Sequence, residues 1–454
     1  MEYEETNAGA NPLGQKSVKT LFIIYTVMGF IGMIPQMFQI FLDGFFVGNG
    51  VGVNGLATMS VVGSLLTLTS ALSSLWGFGS ATMIGLELGK GEITRARKIN
   101  GQFFWHAFIT SVLIAIFVLL NLDNVVRWLG ATGSVIESSK IYIRIFMIGF
   151  PFTAVGPAIY YTCRADGQTL LPTLAMGIPG FISPIVEYFL IMKMHIGIAG
   201  SAIAFIVTLC PSFLLLLYFV FGKTQLKIKL SDIKPDFKII KNINVIGFCQ
   251  AATSIAISFV TILINNLLGR YGSKLDSAAF GITNSYFLYL LVLLMLCCNA
   301  GIQPIASFNY GAKFYKRVNQ LLKSAIAYTI ILFALIVLAI FIFANQVIGI
   351  FASDNANLIQ VTKHVLKYFL ITFPLGGTSL LVSSYFQSVE QVGKANFHAL
   401  TRSLIFMIPL LLILPNFLGV TGIWLSQTSS DILAFATAMI FVYNESKRLN
   451  GLYA

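Results

Sequence analysis

Charged side chains are scarce in this sequence: of its 454 residues, 10% are charged and 57% are hydrophobic. Soluble domains carry about 25% charged residues, so the composition excludes a soluble globular protein. The sequence has only four histidines and five cysteines, and they lack the spacing of zinc ligands or of a secreted disulfide framework. No Ser-His-Asp grouping is evident, which makes a membrane-embedded enzyme the least favoured alternative. We therefore expect a membrane protein without catalytic residues, structural metal or cofactor.

Long apolar runs make up most of the chain. A bilayer core takes about 20 apolar residues per helix. Twelve runs meet this length, at 18–44, 55–86, 97–120, 138–162, 169–192, 198–221, 240–268, 278–306, 320–344, 362–387, 396–415 and 420–443. Several contain proline or glycine, which membrane helices tolerate where neighbouring helices or a cavity satisfy the freed backbone groups. The runs predict an all-α membrane protein with twelve transmembrane helices.

The net charge of +12 reflects where lysine and arginine lie along the chain. If both termini are cytoplasmic, most of these cations fall in cytoplasmic segments, as the positive-inside rule requires. They are spread over short loops and form no compact basic domain, so we expect no nucleic-acid partner. The predicted topology has many spans and both termini on the cytoplasmic side of the membrane.

The sequence repeats itself at an offset of about 222 residues. The matching pairs are Gly89 and Gly311, Arg95 and Arg317, Gly197 and Gly419, and Gly200 and Gly422. An even number of spans per repeat makes the two copies parallel, related by an axis along the membrane normal. We predict an N-terminal six-helix lobe at 1–222, a cytoplasmic linker at 223–239 and a C-terminal six-helix lobe at 240–454. Two such lobes would flank a central cleft and could provide alternating access by rocking.

Few ionisable groups lie within the predicted spans, where they are costly and therefore candidates for function. Asp43 and Glu187 lie in the first lobe, whereas Arg402 and Asp431 lie in the eleventh and twelfth spans. The two carboxyls of the first lobe could exchange a proton, or could ligate Na⁺ together with neighbouring oxygens. The alternative is structural: each carboxyl would bond backbone groups freed by a nearby proline. We assign Arg402 and Asp431 a gating or structural role.

Amide and aromatic residues concentrate in the same regions and predict a substrate cavity. They are Gln36, Gln39, Tyr160, Tyr161, Asn265, Asn284, Tyr286, Gln303 and Gln387. Such a lining suits flat hydrophobic cations, through stacking and cation–π contact. The expected partners are therefore organic cations or other amphipathic small molecules, together with membrane lipid. Asn265 is also the position that matches Asp43 in the second lobe, so the titratable charge is confined to one lobe.

Several strings resemble the multidrug and toxic compound extrusion (MATE) family. They are DGFFVGNGVGVNGLA (43–57), ELGKGEITRARK (87–98), QPIASFNYGAKFYKRV (303–318) and RSLIFMIPLLLILPNFLGVTGIW (402–424). The resemblance spans nearly the whole chain and is strongest to the bacterial DinF- and MepA-like branch. It implies the MATE fold, a V-shaped pair of six-helix lobes, and export of organic cations driven by entry of H⁺ or Na⁺.

The resemblance also implies a coupling site. In that branch an aspartate of the first span and an Asn-x-x-x-Asp pair of the fifth span carry the coupling cation. Asp43 matches the first, and the pair reads Ser183-Pro-Ile-Val-Glu187 here. We assign Asp43, Glu187 and Ser183 to cation coupling in a monomeric multidrug antiporter that works by alternating access. The alternative function, a flippase for a lipid-linked saccharide, would need several cavity cations for a pyrophosphate, and the spans offer only Arg402.

Overall fold

The computed structural model of the chain describes residues 11–207, 218–219, 222, 224–352 and 356–453, and these residues contain helices and no strand. A helix satisfies every backbone polar group within one segment, which an apolar run in lipid requires. The first helices are α1 Pro12–Gln15, α2 Val18–Gly50, α3 Val53–Gly89, α4 Ile93–Leu120, α5 Leu122–Trp128, α6 Val135–Ala165, α7 Leu170–Glu187 and α8 Ile198–Val207.

The second half of the chain forms a similar series of helices. They are α9 Phe237–Tyr271, α10 Lys274–Ile282, α11 Tyr289–Gly311, α12 Tyr315–Ile342, α13 Ala344–Ala352, α14 Ala356–Leu370, α15 Phe373–Ser388, α16 Val392–Leu400, α17 Met407–Leu418 and α18 Val420–Tyr453. In the part of the chain that the structure describes, three π-helical turns interrupt or extend the helices, at Tyr188–Lys193, Thr283–Leu288 and Thr401–Phe406. Turns of this kind are rare and are frequently found at functional sites.

The membrane-spanning helices agree with the apolar runs of the sequence. Among the described residues, ten helical stretches are long and apolar enough to cross a membrane, or eleven if α14 and α15, which are bent by 41°, form one span. The sixth predicted run, 198–221, lies partly outside the described residues, and only α8 is described there. The chain is thus a multi-pass membrane protein.

The described residues divide into two compact units. The first unit comprises residues 11–15 and 27–251, and the second comprises 16–26 and 252–453. Helix α6 packs on α3 and α4 within the first unit, and α15 packs on α11 and α12 within the second. Likewise α7 packs on α8 in the first unit, as α17 packs on α18 in the second. Each unit therefore repeats the same helix packing.

The loops repeat as well. Gly91 has a φ of 81° and its counterpart Lys313, 222 residues later, has a φ of 59°. In both loops the next backbone N–H closes the helix end, since Glu92 donates to Glu87 and Phe314 to Asn309, each at 2.8 Å. This left-handed closure is a common helix end that favours glycine. The second copy retains the backbone turn although its residue is a lysine.

Small residues bring α7 close to α2 in the first unit. A Cβ atom on Gly180 would lie 2.5 Å from the carbonyl carbon of Pro35, so only glycine fits this crossing. Nearer the start of α7, the Thr173 hydroxyl donates to the Met28 carbonyl of α2 at 3.1 Å. Pro179 and Pro184 lie inside α7 and remove backbone hydrogen bonds from it. The crossing carries the end of α7, at Glu187, toward the second half of α2, which contains Asp43.

Candidate functional site

Four helices of the first unit each contribute one polar side chain to a cluster: Asp43 from α2, Tyr142 from α6, Glu187 from α7 and Ser201 from α8. The Ser201 hydroxyl donates a hydrogen bond to Asp43 Oδ1 at 2.6 Å. The Glu187 carboxyl lies beside Asp43 and Ser201 and interacts with both, and the Tyr142 hydroxyl lies beside Ser201. We call these four residues the carboxyl cluster.

The carboxyl cluster is largely buried, and its two acids have no basic partner among the described residues. Glu187 and Tyr142 are 1% exposed, whereas Asp43 is half-buried. No ion pair among the described residues includes Asp43 or Glu187. Two carboxylates in contact repel each other, and a proton or another small cation between them would remove that repulsion. The arrangement can therefore take up and release one small cation.

Ser183 lies one helical turn before Glu187 but is engaged elsewhere. Its hydroxyl donates to the Ala204 carbonyl at 3.1 Å and accepts from Gln39 Nε2 at 3.1 Å. Glu187 Oε1 is buried and has no hydrogen-bond partner among the described residues. The structure thus brings Asp43 and Glu187 together, and the hydroxyls beside them belong to Ser201 and Tyr142. Oε1 of Glu187 is therefore the oxygen in this cluster that is available to bind a cation.

Sequence reasoning missed Ser201 and Tyr142. Ser201 lies in the small-residue string GIAGSAIA and Tyr142 in an ordinary apolar run. A serine hydroxyl in a helix commonly bonds to the carbonyl one turn earlier, and a tyrosine among apolar residues follows no distinguishing pattern, so neither position stands out. Only the meeting of four helices identifies them.

A cavity of about 380 Å³ lies in the first unit next to these helices. Helices α2, α7 and α8 supply part of its wall, through Gln36, Pro179 and Phe205 among others. Its remaining polar and aromatic lining residues are Gln39, Thr69, Ser70, Ser73, Ser74, Thr153, Phe146 and Phe150. None of the described lining residues is charged. The three helices that hold Asp43, Glu187 and Ser201 also line this cavity.

The second unit contains a buried ion pair between Arg402 and Asp431. Arg402 Nε lies 2.6 Å from Asp431 Oδ1, and the Asp431 side chain is fully buried. Gln427 Nε2 donates to the same oxygen at 2.9 Å, while the Thr372 hydroxyl donates to Asp431 Oδ2 at 3.1 Å. Arg402 belongs to the π-helical turn Thr401–Phe406, and Asp431 to α18. Both oxygens of the carboxylate are thus satisfied.

A second, smaller cavity of about 200 Å³ lies beside this pair in the second unit. Arg402, Asn284 and Gln427 line it, together with three phenylalanines, Phe280, Phe369 and Phe373. The Arg402 guanidinium also lies over the Phe373 ring, 5.5 Å from its centroid. Of the predicted cavity residues, Gln36 and Gln39 line the first cavity and Asn284 lines the second.

The other predicted cavity residues do not appear among the described lining residues of either cavity. The Tyr160 hydroxyl accepts a hydrogen bond from Arg164 at 2.9 Å, and Tyr161 packs against Phe78. Asn265 is exposed and Tyr286 is half-buried, while Gln303 and Gln387 are fully buried. Their assignment to a substrate cavity stays a prediction.

Another carboxyl, the half-buried Asp166, lies just outside a membrane-spanning segment, at the end of α6. The Thr224 hydroxyl donates to Asp166 Oδ2 at 2.5 Å, and the Tyr218 hydroxyl donates to the same oxygen at 3.2 Å. Burial raises the pKa of Asp166 to about 6, although both hydrogen bonds oppose this shift. Among the described residues, no group of three or more His, Cys, Asp and Glu side chains could hold a metal ion.

Comparison with known proteins identifies the family. The MatE family model matches residues 29–189 and 250–413, which is more than half of the chain. A protein of Staphylococcus saprophyticus named multidrug export protein MepA is 22% identical over 426 residues, covering 94% of this chain and 93% of that protein. The protein of the same name from Staphylococcus aureus strain N315 is 21% identical, and 92% of each chain is covered.

A solved structure has the same fold. It is described as an outward-facing multidrug resistance MATE family transporter of the MOP superfamily, and it superposes with a TM-score of 0.89. The two chains are 21% identical, and 98% of each is covered. The resemblance seen in the sequence is thereby confirmed. This chain belongs to the MatE family and has the fold of MATE transporters.

Proposed function

We propose that the protein is a cation-coupled antiporter that exports amphipathic, mainly cationic small molecules through the bacterial cytoplasmic membrane, with both termini in the cytoplasm. The observation that carries the proposal is the interaction between Asp43 and Glu187 in a largely buried cluster, where no described basic side chain pairs with either acid. The substrate class is supported by relatives named multidrug export proteins. The coupling ion is H⁺ or Na⁺ and acts as a cargo of the cycle.

The coupling step follows from the cost of buried charge. Uncompensated charge at membrane depth costs several kcal/mol, so the carboxyl cluster favours a bound proton or Na⁺. The ion reaches the cluster at half-buried Asp43. Buried Glu187 supplies a ligand oxygen, Oε1, which has no hydrogen-bond partner among the described residues. Neutralisation removes the repulsion between α2 and α7. These two helices can then approach further, whereas loss of the ion drives them apart.

Helix α7 is suited to transmit this change to the substrate cavity. Two prolines interrupt its hydrogen bonds, and the π-helical turn Tyr188–Lys193 follows directly after Glu187. Breaks of this kind are where helices bend. Pro179 lines the first cavity, so bending of α7 would change the cavity when the ion binds or leaves. We place the exchange between substrate and ion in this linkage, as part of an alternating-access cycle.

The test is efflux of a fluorescent organic cation from liposomes containing the purified protein, with pH and Na⁺ gradients imposed separately. We expect one of the two gradients to drive transport by the wild type. Asp43→Asn and Glu187→Gln should each reduce gradient-driven transport at least tenfold. The matched control is Glu137→Gln, an exposed acid paired with Lys140 at 2.8 Å, which should transport as the wild type does. Undiminished gradient-driven transport by Asp43→Asn would refute the proposal.

The cavities do not favour the flippase alternative. A lipid-linked pyrophosphate calls for several cations facing one cavity. Arg402 is the single basic side chain among the described lining residues of the two cavities. We therefore retain drug export as the proposed function.

A further inference from the structure

The second cavity differs from the first in the charge of its wall. The described lining of the first cavity has no charged side chain, whereas Arg402 lines the second. Arg402 uses Nε for Asp431. Its two terminal nitrogens make no hydrogen bond to a described residue, although the residue is only 8% exposed. A guanidinium has five N–H donors in a planar fork, so four remain for a ligand.

The carboxylate of Asp431 is turned away from a ligand in this cavity. Its side chain is fully buried, and its oxygens accept from Arg402, Gln427 and Thr372. The ion pair is neutral as a whole, but a ligand meets only its donor end. Hydrogen bonds between a guanidinium and a carboxylate are short and about twice as strong as neutral ones, and the match is bidentate.

The rest of the lining specifies the body of the ligand. Phe280, Phe369 and Phe373 supply aromatic walls, and the Asn284 side chain makes no hydrogen bond to a described residue, which leaves its amide for the ligand. A cavity of about 200 Å³ corresponds to the liquid volume of about seven waters. This volume suits a single aromatic ring with one small substituent.

We propose that the second cavity binds a single-ring aromatic carboxylate, with the terminal nitrogens of Arg402 donating to its carboxylate and the phenylalanines enclosing its ring. Arg402 is thereby a ligand-binding residue in addition to a partner of Asp431. The binding site lies wholly within the second unit and does not depend on coupling at Asp43 and Glu187. A membrane transporter with this site would accept an anion as well as the cations proposed above.

The test is equilibrium binding of radiolabelled benzoate to the full-length protein in detergent, with benzamide and benzylamine as competitors. Saturable benzoate binding is expected, and both competitors should be at least tenfold weaker, because benzamide lacks the charge and benzylamine reverses it. Equal competition by benzamide, stronger competition by benzylamine, or no saturable binding of benzoate would each overturn the proposal.

Variants locate the site. Arg402→Gln alone leaves Asp431 buried and unpaired and could prevent folding, so the double variant Arg402→Gln/Asp431→Asn removes both charges together. We expect it to bind benzoate at least tenfold more weakly.

Asn284→Asp places a negative charge in the wall while leaving the ion pair intact, and should weaken binding similarly. The control Arg270→Gln removes an arginine that lies over Tyr271, away from the described cavity lining. Wild-type affinity in both cavity variants, or equal weakening in the control, would refute the assignment.

Failure of this proposal is distinguishable from failure of the coupling proposal. Benzoate binding is measured without any ion gradient, and Asp43→Asn should leave it unchanged. Gradient-driven export of a cation, in turn, is tested with Asp43 and Glu187 variants that retain Arg402.

Discussion

Replacing Asp166 by Asn should stabilise the protein, and only above acidic pH. Burial raises the pKa of this carboxyl from 3.8 to about 6, and one pKa unit corresponds to about 1.36 kcal/mol. The folded state therefore loses about 3 kcal/mol as Asp166 ionises. Because the pKa of Asp166 is higher in the folded state than in the unfolded state, its contribution to the free energy of unfolding is fully present below pH 3.8 and is lost as the pH rises through about 6. Asparagine retains an oxygen acceptor for Thr224 and Tyr218 and has no charge to bury.

The assay is thermal unfolding of the detergent-purified protein, followed by tryptophan fluorescence, between pH 4 and pH 8. Wild type and Asp166→Asn should unfold at similar temperatures at pH 4, and the variant should be more stable from about pH 6 upward. Asp123→Asn is the matched control, because the pKa of Asp123 is shifted in the opposite direction. The pKa of Asp123 is lowered by its hydrogen bond to Lys140, so this exposed carboxyl should gain nothing from replacement at high pH. A difference between wild type and Asp166→Asn that is the same at all pH values would refute the reasoning.

Three further predictions follow from the contacts. Ser201→Ala removes a 2.6 Å hydrogen bond to Asp43, worth about 1.5–3 kcal/mol for a charged acceptor, and should change the ion concentration for half-maximal efflux about tenfold. The control Ser183→Ala removes a hydroxyl that bonds elsewhere and should change this concentration less than twofold. Equal effects of the two variants would argue against the described cluster. Gly376→Ala would place a Cβ against Asp431 and 2.9 Å from Arg402 Nε, so it should lower the unfolding free energy by about 3 kcal/mol, whereas Gly393→Ala, which meets open space, should be tolerated. Lys313→Gly relieves a left-handed backbone at φ 59° and should raise the unfolding temperature through about 1 kcal/mol; an unchanged or lower temperature would contradict this.

The spans and the internal repeat could be predicted from sequence because they depend on averages over many residues. Twelve apolar runs were long enough to cross a membrane as helices, whichever way each helix is rotated about its axis. The glycines and arginines of the loops recur at one offset. The recurrence has a backbone cause: Gly197 and Gly419 both have positive φ, at 72° and 56°. Asp43 and Glu187 could be selected because few acids lie in the spans at all.

The partners of these acids could not be predicted in the same way. Helices that are apolar all round carry no stripe that reveals which face meets which neighbour. The rotation of α7 depends on a packing detail, the contact of Gly180 with Pro35, and that rotation turns Ser183 toward Gln39 instead of Asp43. Gln303 and Gln387, which were predicted as cavity residues, are both fully buried, and their assignment stays a prediction.

The central claim, that Asp43 and Glu187 bind the coupling ion, is tested most directly by ion release on substrate binding. A fluorescent organic cation is titrated into detergent-purified protein in weak buffer, while a pH dye reports protons and sodium-22 reports Na⁺. We expect the wild type to release one of these ions as the substrate binds, and Asp43→Asn and Glu187→Gln to bind the substrate without releasing it. Undiminished release from both variants, or substrate binding by the wild type without release of either ion, would contradict the claim.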